Sequence, residues 1–190
     1  MPKRTTALVA ALLMIAAPAV ANEYEPSMRA YIEEHVAPWV SDPAIVAQVK
    51  SQNKAHETLS QGDIDQLDQD WRAQVGASET PLISTVLSNE ASQFLLERVG
   101  DAGGVISEVF VTDNLGLNVA SSGVTSDYWQ GDEAKFTEVY GKGPEAMHFG
   151  DIEFDDSAQT YLGQISVPVT DPDTGTVIGV MTIGLDAEAL

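Results

Sequence analysis

The sequence predicts an α+β fold, with N-terminal helices packed on a five-stranded antiparallel sheet. Two observations lead there. Up to Gly104 the apolar residues recur every three or four positions, the period of a helix face. Beyond it they gather in short runs rich in Val, Ile and Phe, divided by Gly, Asp, Asn and Pro. Elements that run helices first and strands second give segregated layers rather than a parallel α/β sheet.

The elements follow in chain order. Lys3 and Arg4 precede an uncharged apolar run, Ala7 to Val20, which ends on Ala19-Val20-Ala21. The run is shorter than the ~20 residues a spanning helix needs. A basic start, a short apolar stretch and a small-residue end make residues 1–21 a secretory signal cut after Ala21. The expected location of the mature chain is therefore periplasmic or secreted. Residues 22–190 then form one domain, helical over 22–100 and sheet with pocket over 105–190.

Tyr24, Met28, Tyr31, Ile32, Val36 and Trp39 line one helical stripe. Asp42-Pro43 restarts a helix, with Asp as cap and Pro in the first turn; Ile45 and Val49 give its apolar face. Ile64, Leu67, Trp71 and Val75 mark a third helix. Thr80-Pro81 opens a long one, whose stripe runs Leu82, Ile83, Val86, Leu87, Phe94, Leu95, Val99 and stops at Gly100 and Gly103-Gly104. Val105–Thr112 reads as the first strand, Asp113–Gly116 as a turn and Leu117–Ala120 as the second strand. Ser126–Tyr140 is a loop leading into a short helix. Ile152 and Phe154 suggest a third strand, and Tyr161–Val169 alternates as a fourth. Asp171–Gly175 is a tight turn, and Val177–Leu185 is the fifth strand.

Composition removes several function classes. Cleavage after Ala21 takes away two basic residues and no acidic ones, leaving 7 Lys and Arg against 29 Asp and Glu, a net charge of −22. Such a surface repels nucleic acid and anionic lipid. Without cysteine there is no disulfide framework, thiol nucleophile or thiolate metal site.

Three segments together resemble Cache (PDC, PAS-like) sensor domains. They are Phe110–Ala120 as an opening hairpin, Asp127-Tyr128-Trp129-Gln130-Gly131-Asp132-Glu133-Ala134 as the following pocket segment, and Ile165–Val169, Asp171–Gly175 and Val177–Asp186 as a closing hairpin. The resemblance covers roughly residues 80–190 and implies an extracytoplasmic small-molecule sensor. It also implies a ligand between the sheet and the segment after the second strand. On that basis Asp127, Tyr128, Trp129, Asp132, Tyr161, Ser166 and Asp186 are the candidate ligand residues.

Four of them have a structural alternative. Tyr128 and Trp129 offer faces to a cation, or else cap the sheet as core aromatics, with Asp127 as a helix N-cap. Asp186 falls where such domains hold a ligand amino group, or is a solvated strand end. Amino-acid-binding members carry an arginine ahead of the aromatic pair, where this chain has Ser126 and Asp127. A cationic amine is therefore expected over a simple carboxylate, whose desolvation lacks a partner.

Other chemistry finds little support. His35, His56 and His148 lack ligand spacing, and Asp171–Gly175 lacks the later acidic ligand of a calcium loop. No metal or other cofactor is expected. Adjacent carboxylates such as Asp132-Glu133 and Asp155-Asp156 do not by themselves converge on a substrate atom, and no serine sits in a nucleophile elbow. The expectation is a non-catalytic binding module. With no output module after the last strand, it would act through a membrane sensor partner, or as a homodimer through its N-terminal helices. The alternative is an interaction module with a vestigial pocket.

Overall fold

The computed structural model describes residues 24–155 and 160–189. The expected signal at residues 1–21 lies outside them, as does Asp156. The layout is α+β. Helix α1, Glu25–Tyr31, passes into a π-helical turn at Ile32–Val36 and a 3-10 turn at Trp39–Ser41. Met28, Ile32 and Val36, four apart, stay buried through that change of winding. Helix α2, Pro43–Ala55, starts as expected, with the Asp42 side chain accepting from Ala44 N. Helix α3, Gln61–Gln74, opens with a reciprocal capping box between Ser60 and Asp63.

The long helix expected over residues 82–99 is two. Helix α4, Pro81–Leu87, ends at Ser88, and α5, Glu90–Asp101, begins beyond Asn89. Asn89 accepts from Ser92 N and donates to the carbonyls of Val86 and Val119. Ser92 donates to Val86 O and accepts from Ser121 N. The joint is thus bonded to a strand, which a continuous helix could not supply. Ile83 and Val86 of α4 pack in one apolar cluster and Ala91 and Leu95 of α5 in another, so the break divides a stripe that reads as continuous in the sequence.

Strands β1, Ile106–Thr112, and β2, Asn118–Ser121, form the opening hairpin. A short helix α6, Ala134–Thr137, follows, then β3, His148–Phe149, β4, Glu153–Asp155, β5, Thr160–Thr170, and β6, Val177–Asp186. The sheet order is β2-β1-β6-β5-β3, with β4 also pairing β5, all antiparallel. The expected third strand appears as β4. Strand β3 was not expected, because two residues carry no alternation to read.

The strands separate two faces. Val109, Val111, Ile165, Val167, Val169, Met181, Ile183 and Leu185 join Met28, Ile32, Val36, Ile45 and Val49 in the main core beneath the helices. A second core at the β2 edge joins Ile64, Trp71, Ile83, Val86, Leu117 and Tyr128. The turn after β1 ties the layers together. Asp113, fully buried, accepts from Leu115 N, Leu117 N, Gln52 Nε2 and His56 Nδ1. The β5–β6 turn is held to α2 by Lys50 and Asp171 at 2.9 Å. Their hydrogen bond raises the Lys50 pKa and lowers that of Asp171.

Candidate functional site

The second face of the sheet is polar in register. Glu108 lies opposite Gly184, and Gly184 opposite Gln164. One row on, Phe110, Thr182, Ser166 and His148 stand side by side. In the other direction Asp186, Leu162 and Glu153 form the next row. Over part of this face runs the segment between β2 and β3, with Phe136 and Val139 packed on Val180. What it leaves uncovered is a cleft of about 540 Å³.

Its polar lining comes from both sides. Ser107, Glu108 and Gln164 rise from the sheet; Glu133, Lys135, His148, Asp151 and Glu153 come from the segment above and the edge strands. A register shift between Ile106 and Glu108 marks a bulge in β1, and bulges re-aim side chains. Here both Ser107 and Glu108 reach the cleft. Gln164 donates to Glu108 Oε1 at 3.0 Å. Lys135 is ion-paired with Glu133 at 3.1 Å, its ammonium 5.6 Å from the centre of the Phe110 ring. Among the described residues no arginine lines the cleft. Two like unit charges about 4 Å apart near a protein surface repel by roughly 4 kcal/mol, so an anion among these carboxylates starts at a disadvantage. Among the described residues no group of three His, Asp or Glu side chains could hold a metal ion.

None of the seven expected site residues lines that cleft; they divide among four places. Ser166 and Asp186 stand on the polar face. Ser166 is buried and shares a 2.9 Å hydrogen bond with Thr182; Asp186 accepts from Thr160 Oγ1 at 2.8 Å and from Glu188 N. Tyr161 is half exposed and meets Phe154 edge-on. Asp127, Trp129 and Asp132 border an open groove with Asp65, Asp68 and Arg72 at the β2 edge, and Glu133 lines both this groove and the cleft.

Tyr128 is 3 % exposed and stacks on Trp71 with ring centres 5.3 Å apart. Asp68 accepts from the backbone N–H of both Tyr128 and Trp129, and the Trp129 indole donates to Leu115 O. Asp127 caps no helix: its carbonyl accepts from Asn118, Thr125 and Gln130, and α6 starts only at Ala134. The reason is local. Gly116 (φ +84°) and Gly131 bring two backbones together so closely that a Cβ on either would clash, so the segment is still extended where the cap was expected.

Glu108, Gln164 and Gly184 were not among the expected residues. Their signal lay in the alternation itself. Polar or side-chain-free positions interleaved with Val109, Ile165 and Ile183 on inner strands mark a second face that is not packed by helices.

No family model matches the chain, and no curated protein does. Solved sensor domains of chemoreceptors and histidine kinases are structurally similar at low identity. The sensory domain of the Campylobacter jejuni chemoreceptor Tlp3 (CcmL) with isoleucine bound is 11 % identical, with a TM-score of 0.39, over 87 % of this chain and 63 % of that one. The V. cholerae histidine kinase DctB sensor domain is 14 % identical, TM-score 0.39, over 88 % and 59 %. An extracellular ligand binding receptor from Desulfohalobium retbaense is 14 % identical, TM-score 0.36, over 75 % and 24 %. This chain thus spans less than two thirds of each. No helix among the described residues is long and apolar enough to cross a membrane.

Proposed function

We propose that this protein is an extracytoplasmic, non-catalytic sensor domain that binds a small polar, amine-bearing ligand and passes the bound state to a signalling partner. One observation carries the reading. The cleft of about 540 Å³ lies between the sheet and the segment after the second strand, where the resemblance to Cache domains implies a ligand. Its size falls within the ~300–1,000 Å³ usual for small-molecule sites. Ser166 and Asp186, from the expected set, sit on the same sheet face. The signal segment expected from the sequence supports the location, and the helices α1 and α2 offer a surface toward a partner.

A thermal-shift screen against amino acids, amines, organic acids and purines tests the proposal. A ligand at about a hundred times its dissociation constant adds about 2.7 kcal/mol of stability, which gives a clear rise in the unfolding midpoint. No shift with any compound would count heavily against a functional site.

A second reading is an interaction module with a vestigial pocket. It is favoured by the burial of Tyr128 against Trp71 and by the backbone bonds that hold Trp129, which take both aromatics out of the cleft. A protein that stays monomeric at all concentrations and copurifies with no partner would sink it.

A further inference from the structure

We infer that the cleft selects an organic cation without a carboxylate of its own, a protonated amine rather than an amino acid, with Glu108 as the anchoring residue. This rests on reading the cleft as the ligand site. Glu108 stands on β1 opposite Gly184 of the inner strand β6, just short of the stretch that β2 pairs. Gln164 orients one of its oxygens by a 3.0 Å hydrogen bond, and the other accepts none from a described residue. That oxygen is free for a donor brought by the ligand.

The position opposite is held open. A Cβ at Gly184 would lie 2.9 Å from Glu108 Cγ and closer still to Ser107 Oγ, so any side chain there displaces the anchor. Glycine at 184 is therefore a positioning residue for Glu108.

Charge decides the rest. Around Glu108 the lining adds the carboxylates of Glu133, Asp151 and Glu153, against Lys135 and His148. Lys135 is already paired with Glu133. Arg29 sits on the Phe149 ring and pairs with Glu25, so it too is engaged. An amino acid would satisfy its ammonium on Glu108 and leave its carboxylate without a free cationic partner. Carboxylate recognition is strongest with a bidentate guanidinium, and the lining has none. A cation without the carboxylate keeps the favourable contact and loses the unfavourable one.

Calorimetry with three probes that share the leucine side chain tests this: 3-methylbutylamine, leucine and 4-methylpentanoate. The amine is expected to bind at least about tenfold tighter than leucine, a difference of 1.4 kcal/mol, with the acid weaker again. Glu108→Gln and Gly184→Ala are each expected to weaken the amine about tenfold without lowering the unfolding midpoint. Glu153→Gln serves as a second charge removal should Glu108→Gln fail to fold.

Leucine or the acid binding as tightly as the amine overturns the inference. If that binding still shifts the amide signals of Gln164 and Gly184, the cleft remains the site and only its selectivity was misjudged. Amine binding that moves neither signal and ignores Glu108→Gln overturns the cleft reading itself. Absence of amine binding at roughly 10 mM overturns the inference and leaves the cleft to the wider screen.

Discussion

Two buried residues show how single side chains commit this fold. Asp113 accepts two hydrogen bonds from the end of helix α2 and two from the turn after β1, and a buried acceptor that loses its donors costs roughly 1–3 kcal/mol. Tyr128 is a core aromatic whose hydroxyl is pushed far above its usual pKa, first by burial and then by the charge of Asp113. Folding therefore favours the neutral phenol. An unfolded tyrosine ionises near pH 10, so the contribution is complete below that pH and is lost as pH rises beyond it. Stability is expected to fall from about pH 10 upward, and Tyr128→Phe is expected to flatten part of that slope. Urea midpoints followed together with phenolate absorbance check this; an unchanged slope in the variant would place the titration elsewhere, Tyr140 being the other tyrosine raised by burial and Asp113.

Among the elements, the α4–α5 joint carries the clearest consequence. Asn89 is at once the N-cap of α5 and a bridge to β2 through Val119 O. Loss of a cap costs about 1–2 kcal/mol, and the strand bond adds to it. Asn89→Ala is expected to lower stability by about 2 kcal/mol, read from urea denaturation, whereas Asn89→Asp, which keeps the acceptor to Ser92 N but loses both donors, should fall between. The stripe from Leu82 to Val99 was legible as apolar helix. Its interruption was not, because Ser88-Asn89 is also tolerated inside a helix, and only the partner groups on Val86, Val119 and Ser121 decide for a break. Asp127 is the converse case: an acidic residue ahead of a helix reads as a cap, yet the backbone contact of Gly116 with Gly131 delays that helix by six residues.

For the whole molecule, the helical half is not an appendage. Met28, Ile32, Val36, Ile45 and Val49 are each no more than 2 % exposed in the core beneath the sheet. Five such side chains at roughly 2 kcal/mol apiece are comparable with a domain's entire stability of about 5–15 kcal/mol. Removing residues 22–75 is therefore expected to abolish cooperative folding, checked by thermal unfolding and by the dispersion of amide signals. A remainder that melts cooperatively would show that the strands close their own core and would free the helices for a partner.

The sequence by itself determined the α+β layout, the turns at Asp113–Gly116 and Asp171–Gly175, and the acidic charge. These depend on near neighbours: periodicity, turn chemistry and composition act within a dozen residues. The tertiary structure alone decided the site. Glu108, Gly184 and Gln164 meet only when β1, β6 and β5 come into register, and Tyr128 leaves for a second core only because Trp71, some sixty positions earlier, offers it a stacking face. Contacts between residues so far apart in the chain are set by packing of whole layers, which no local pattern encodes.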